Sequence, residues 1–213
     1  MLRVLVCCAL LLPVCDARAE ADGEEGFQSL FDGKTLDGWE GDPATFRVES
    51  GAIVGGSLKD RIPHNAFLCT RKKFGNFELR FKSRLVGQGN NAGVQFRSER
   101  IPDHFEVRGY QCDMGDAFGR SVWGALYDES RRRKMLAEGP QDKIQQVFRP
   151  GQWNDMVVRC EGNRVQIWLN GLQTVDYTEM DSQIARDGVI GLQIHGGEPA
   201  EASYKDLRIK ELP

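Results

Sequence analysis

Apolar and polar side chains alternate with a period of two through most of this chain, which restricts it to extended structure. From Phe77 to Leu85, residues Phe77, Leu79, Phe81 and Leu85 fall on one face, because successive strand residues point to opposite sides. Met156, Val158 and Cys160 repeat the pattern, as do Val165, Ile167 and Leu169. Glu161-Gly162-Asn163-Arg164 reads as the tight turn between those two strands. Asn170-Gly171 closes the next hairpin, since both central positions of its turn type need positive φ. Val189 to His195 and Ala202 to Ile209 supply two more strands. Helical periodicity is nearly absent; only Ser130 to Ala137 and Asp181 to Arg186 suit short helical turns. Many short strands joined by glycine-rich turns predict an all-β fold, a two-sheet antiparallel sandwich or jelly roll. Its expected core comprises Phe46, Phe67, Phe77, Leu79, Phe81, Val94, Phe96, Val158, Ile167, Leu192 and Ile209.

Three of the strand-like segments place a glutamine two residues before an ionisable side chain: Gln95-Phe96-Arg97, Gln111-Cys112-Asp113 and Gln193-Ile194-His195. Residues two apart share a face. In the first and third segments a glycine (Gly93, Gly191) precedes the glutamine by two more. A strand glycine often marks close approach of a ligand or of backbone. If the three strands share a sheet, its polar face carries amides, a guanidinium, a carboxylate and an imidazole, a set suited to handling sugars. The same alternation also suits any half-exposed sheet.

Residues 1–19 read as a secretory signal peptide: Arg3, an apolar run from Val4 to Val14, and the small-x-small site Ala17-Arg18-Ala19. That run is too short to span a membrane comfortably. The expectation is an exported protein, periplasmic or extracellular, with no membrane insertion. Residues 20–26 form an acidic, flexible lead-in, and 27–213 a single domain. Without Arg3 and Arg18 the 28 basic residues become 26, and without Asp16 the 31 acidic residues become 30, for a net charge of −4. Mild acidity with mixed signs argues against a nucleic-acid partner. The basic run Arg131-Arg132-Arg133-Lys134 follows Asp128 and Glu129 and reads as a solvated turn or short helix. Cys69, Cys112 and Cys160 lie in apolar strand-like runs without C-x-x-C spacing, so buried free thiols are expected.

Several motifs in this order resemble the 3-keto-disaccharide hydrolase domain family. They are Phe27 to Trp39, Gly93 to Arg97, Tyr110 to Asp113, Trp123 to Glu129, Gly151 to Asn154, Trp168 to Gly171 and Gly191 to His195. The resemblance covers essentially all of 27–213. It implies a concanavalin-like jelly roll and cleavage of glycosides whose sugar ring carries a ketone at carbon 3. A dehydrogenase that makes such sugars would be a logical companion.

A 3-keto group acidifies the hydrogen on carbon 2, and the glycosidic oxygen on carbon 1 can then leave by elimination. That chemistry needs a base, a group to stabilise the enolate oxygen, and an acid for the leaving group. Arg97 is the expected electrophile and Asp113 or Glu106 the base, with His195 as acid or base. Tyr127 and Glu129 would donate to the leaving group. Gln95, Gln111 and Gln193 would bind hydroxyls, and Trp123 would stack on a sugar face. Ordinary two-carboxylate glycoside hydrolysis is the alternative chemistry. His64, His104 and His195 show no zinc spacing. The sequence requires no cofactor. A divalent cation held by Asp113, Glu106 and His195 would polarise the ketone and enolate, and Asp32-Gly33 would suit a structural calcium. The rival of another class is a non-catalytic carbohydrate-binding module on the same fold.

Overall fold

A computed structural model describes residues 25–213. The expected signal peptide, and the lead-in as far as residue 24, lie outside the described residues. Glu25 and Gly26 begin a turn whose Glu25 carbonyl accepts a hydrogen bond from Lys210 Nζ at 2.9 Å.

The first half of the chain forms β1 (Gln28–Ser29), β2 (Trp39–Glu40), β3 (Phe46–Glu49), β4 (Ala52–Ser57), β5 (Ala66–Phe74) and β6 (Phe77–Gly87). There follow β7 (Asn91–Arg100), β8 (Val107–Ala117), β9 (Arg120–Ser121), β10 (Leu126–Glu129), β11 (Lys134–Ala137) and the helix α1 (Gln141–Val147). The last strands are β12 (Asn154–Glu161), β13 (Arg164–Leu169), β14 (Leu172–Thr178), β15 (Gly188–Ile194) and β16 (Ala200–Glu211). One sheet runs β14-β13-β12-β6-β16-β4-β3, with β1 on β16; the other runs β11-β10-β8-β7-β15-β5-β2, with β9 on β8. Neighbours pair antiparallel, and the sheets close on one another as a jelly-roll sandwich.

The core lies between the sheets. Phe77, Leu79 and Phe81 of β6 meet Val94 and Phe96 of β7 and Leu192 of β15 in one buried cluster. Burying each such side chain stabilises the fold by about 1.5–3 kcal/mol. Every expected core position joins this cluster except Phe67, which packs with Cys69 and Val107 on the outer side of the second sheet. The three cysteines are buried and free. Asn170 and Gly171 take φ of 48° and 84° in the β13–β14 hairpin, and Gly162 turns β12 into β13 at φ 57°.

Two local expectations are corrected. Ser130 to Ala137 is a turn followed by strand β11, and Asp181 to Arg186 contains no helix. The helix α1 instead follows Pro140, buries only Ile144, and is too short for a 3.6-residue period to register. The basic run does form a turn, but its charges are used internally. Arg131 donates from Nε to Asp128 at 2.8 Å, and Arg132 reaches both Asp128 and Glu179. Tyr110 also donates to Glu179, at 2.6 Å. This network anchors the turn that follows Glu129. Among the described residues no helix is long and apolar enough to cross a membrane.

Candidate active site

The outer face of the second sheet is built in rungs. Tyr127, Gln111, Gln95 and Gly191 are successive cross-strand partners on β10, β8, β7 and β15, and Asp113, Gly93 and Gln193 form the neighbouring rung. A directed hydrogen-bond chain runs through them. Ser98 Oγ donates to Gln95 Oε1 at 3.1 Å, Gln95 Nε2 donates to Gln111 Oε1, and Gln111 Nε2 donates to Asp113 Oδ1. The glycines make room for this chain and not for a ligand. A Cβ on Gly93 would sit 2.7 Å from Gln111 side-chain carbons, and one on Gly191 would press Cys69 Sγ at 3.1 Å and Gln95 Cβ at 3.2 Å.

A cavity of about 350 Å³ opens above these rungs, with Asp113, Gln111, Tyr127, Glu129, His195 and Asn65 among its lining residues. Asp113 is only 3% exposed. Burial pushes its pKa up to about 8; the Gln111 hydrogen bond opposes that rise and the nearby Glu129 charge adds to it. Glu129 is also raised, first by burial and then by the charge of Glu106, with His195 pulling the other way. Burial, followed by the charges of Glu129 and Asp113, raises the pKa of the Tyr127 phenol and so favours its protonated form. Two carboxyls and a phenol are therefore all biased toward holding protons, a pattern that concentrates at functional sites. His195 stands exposed at the mouth, with Nδ1 2.6 Å from the Gly196 carbonyl. Since a carbonyl only accepts, that contact places a proton on Nδ1 and leaves Nε2 free to act.

A larger depression of about 530 Å³ lies on the first sheet, beside Phe27, Arg80, Asp155 and Arg208. Its carboxylates lie outside the buried set; Asp155 is paired with Lys82, and Asp32 accepts backbone N–H groups of Lys34 and Thr35. Those bonds hold the Asp32 carboxyl below its ordinary range. The smaller cavity, with its buried Asp113, is the candidate site.

Several expected site residues lie elsewhere. A bulge between Phe96 and Glu99 gives Arg97 a φ of 45° and turns it off the polar face, so that Ser98 meets Gln95. Arg97 donates to the carbonyls of Gly75 (2.9 Å) and Gly162 (2.8 Å) and to Asn76 Oδ1 (3.1 Å), and does not line the cavity. Trp123 is buried against Phe148, with ring centroids 4.8 Å apart, and offers no face to a sugar. Glu106 stands behind the site, accepting from Asn65 Nδ2 at 3.1 Å and Ser130 Oγ at 3.0 Å. Gln95 and Gln193 are buried beneath the lining, and Gln193 Nε2 lies 3.4 Å from Glu129 Oε2. Among the described residues no three histidine, cysteine, aspartate or glutamate side chains group as a cation site, so Asp113, Glu106 and His195 do not assemble as a ligand set.

The cavity also recruits Asn65, Asn90, Asn91, Asp116 and Phe118, which sequence reasoning missed. They come from strand ends and loops, where no periodicity marks them. Asn65 is the best integrated: its Oδ1 accepts from Gly196 N at 2.9 Å while its Nδ2 holds Glu106.

Fold and cavity together define a concanavalin-like jelly-roll protein with a carboxyl-lined pocket on one sheet. Residues 26–210 match the 3-keto-alpha-glucoside-1,2-lyase-like domain, and the chain belongs to that family. A relative from Bacteroides thetaiotaomicron, named 3-keto-disaccharide hydrolase, is 22% identical over 237 aligned residues, covering 88% of this chain and 79% of the relative. A Parabacteroides distasonis structure provisionally described as a glycosyl hydrolase superposes with a TM-score of 0.68 at 20% identity, over 92% of this chain and 97% of its own. The carbohydrate-binding module CBM66 from Bacillus subtilis superposes with a TM-score of 0.62 at 15% identity, over 82% and 96% of the two chains. These two likenesses concern the fold.

Proposed function

We propose that this protein cleaves the glycosidic bond of 3-keto-glycosides by elimination. The observation that carries the reading is the pairing of buried Asp113 with half-buried Glu129, both raised in pKa, in one cavity with Tyr127 and His195. Asp113, in its ionised form, takes the proton from carbon 2, and the C–H electron pair becomes the enolate. A carboxylate near pKa 8 is a far stronger base than an ordinary one and still ionises near neutral pH. The Tyr127 hydroxyl donates a hydrogen bond to the enolate oxygen on carbon 3. Collapse of the enolate breaks the bond between carbon 1 and the aglycone oxygen, which takes up the proton that Asp113 has removed, while the charge of Glu129 beside it sustains the raised Asp113 pKa. The products are the free aglycone and a 1,2-unsaturated 3-keto sugar; addition of water across that double bond completes a net hydrolysis. His195 Nε2, at the mouth, holds a sugar hydroxyl.

The family and the named relative support this substrate class. The signal segment at residues 1–19 supports action outside the cytoplasm, where a sugar 3-dehydrogenase would supply the substrate. The likeness to CBM66 favours a second reading, a binding module. Against it stands the cost of burying the Asp113 carboxyl beside a half-buried Glu129, which sugar binding alone does not require.

The test is release of a chromophore from a 4-nitrophenyl 3-keto-glucoside and from its 3-hydroxy parent. Release from the keto substrate only, abolished in a folded Asp113→Asn variant, is the expected result. Release from both substrates would replace elimination with ordinary glycosidase chemistry. Silence on both, with retained sugar binding, would favour the binding module.

A further inference from the structure

We propose that Phe118 is the platform of an aglycone subsite, which selects leaving groups carrying a ring with a flat apolar face; the assignment rests on the elimination site proposed above. Four large apolar side chains are exposed among the described residues, namely Leu58, Phe105, Phe118 and Met180, and of these only Phe118 lines the cavity. It is 67% exposed, an arrangement that folding alone disfavours. The hairpin tip between β8 and β9 holds it there at φ 53°, a left-handed conformation that bulky residues seldom adopt. Such an outlier points to a role for the side chain when it sits at a functional cavity.

The ring is supported from behind. Arg120 lies over it with its guanidinium carbon 5.6 Å from the centroid. Glu138 pins that guanidinium through two hydrogen bonds of 2.8 and 3.0 Å. Tyr127 tilts against Phe118 at 40°, with centroids 6.4 Å apart. The phenol assigned to the enolate and the exposed phenyl ring are thus neighbours. A sugar whose reacting carbons face Asp113 and Tyr127 would leave its departing group beside Phe118. The other lining residues named above are polar, so Phe118 and Tyr127 supply the aromatic surface of the cavity. An aromatic aglycone and a second pyranose ring share the chemistry this surface recognises.

Binding of three unreactive 3-hydroxy glucosides to the full chain separates these cases by calorimetry: methyl glucoside, 4-nitrophenyl glucoside and a glucosyl-glucose disaccharide. Phe118→Ala is expected to weaken the two ring-bearing ligands by about three- to tenfold. Methyl glucoside binding should be unchanged, and Phe118→Trp should restore the loss. Loss for the aryl ligand alone supports a platform for aromatic aglycones; loss for both supports one open to a second sugar. Equal weakening of all three, no change in any, or no binding by the wild type would overturn the platform. Cleavage of the 3-keto forms, measured in parallel, separates the two ideas. A Phe118 effect on binding without cleavage leaves the subsite standing and removes the reaction, whereas cleavage without a Phe118 effect does the reverse.

Discussion

Gln95 faces Gln111 directly across β7 and β8, and the hydrogen bond between their amides decides which end of Gln111 meets Asp113. Because Gln111 Oε1 is occupied by Gln95, its Nε2 is turned to donate to the carboxylate. That donor stabilises the ionised form of Asp113 and moderates the rise caused by burial. Gln111→Leu is therefore expected to raise the Asp113 pKa further. In a pH profile of kcat/KM on a 3-keto-glucoside, the ascending limb near pH 8 should move to higher pH. A limb that stays in place would mean that another group controls it.

Asp113→Asn should separate catalysis from stability. Loss of the base is expected to lower kcat by at least about a hundredfold. The folded pKa, about 8, lies above that of the unfolded chain, so the native state binds the extra proton between roughly pH 4 and 8. The wild type consequently loses stability as pH rises through that window, and a neutral Asn escapes the loss. Thermal melts at pH 5 and pH 9 should show the variant gaining on the wild type at the higher pH.

Glu179 works in the opposite direction. Burial would raise its pKa, but Arg132 and the Tyr110 hydroxyl outweigh that and hold it at about 2. Its folded pKa is depressed, so its contribution is present above the unfolded value and is lost as pH falls from roughly 4.5 toward 2. Arg132→Met leaves Glu179 without its cation and Asp128 with Arg131 alone. The expected cost is about 3 kcal/mol in urea unfolding at pH 7, shrinking as pH approaches 2.

Arg97 should behave as a structural residue. Replacement by Met strands the half-buried carbonyls of Gly75 and Gly162 in the β5–β6 and β12–β13 turns. A loss of about 2–4 kcal/mol in stability is expected. Specific activity per folded molecule should hold, since the side chain does not line the cavity. A collapse of kcat with unchanged stability would return Arg97 to the chemistry.

Gly93→Ala tests how the glutamines are seated. The backbone there tolerates alanine, but the new Cβ would meet the Gln111 side chain at 2.7 Å and displace it. Activity should fall as in Gln111→Leu, with the same shift of the pH limb. If activity is retained with an unmoved limb, Gln111 has no part in setting Asp113.

The chain's alternation alone determined the strands, their inward residues and the Asn170-Gly171 hairpin, because side-chain direction in a strand follows from its period of two. The same local rule put Gln111 with Asp113, and Gln193 with His195, on one face. It failed at Arg97, since one extra residue in a bulge reverses every later side chain and its position depends on the partner strand. It failed at Phe67 because alternation does not say which face of a strand meets the other sheet. Trp123 and Glu106 are composed as well for packing or support as for substrate, and only the arrangement of neighbours assigns them. The convergence of Glu129 and Tyr127 on Asp113, and the placing of Phe118 at the cavity, belong to the tertiary structure. Burial acts on a carboxyl only after distant strands have closed around it, so the pKa values on which the chemistry rests have no counterpart in the linear chain.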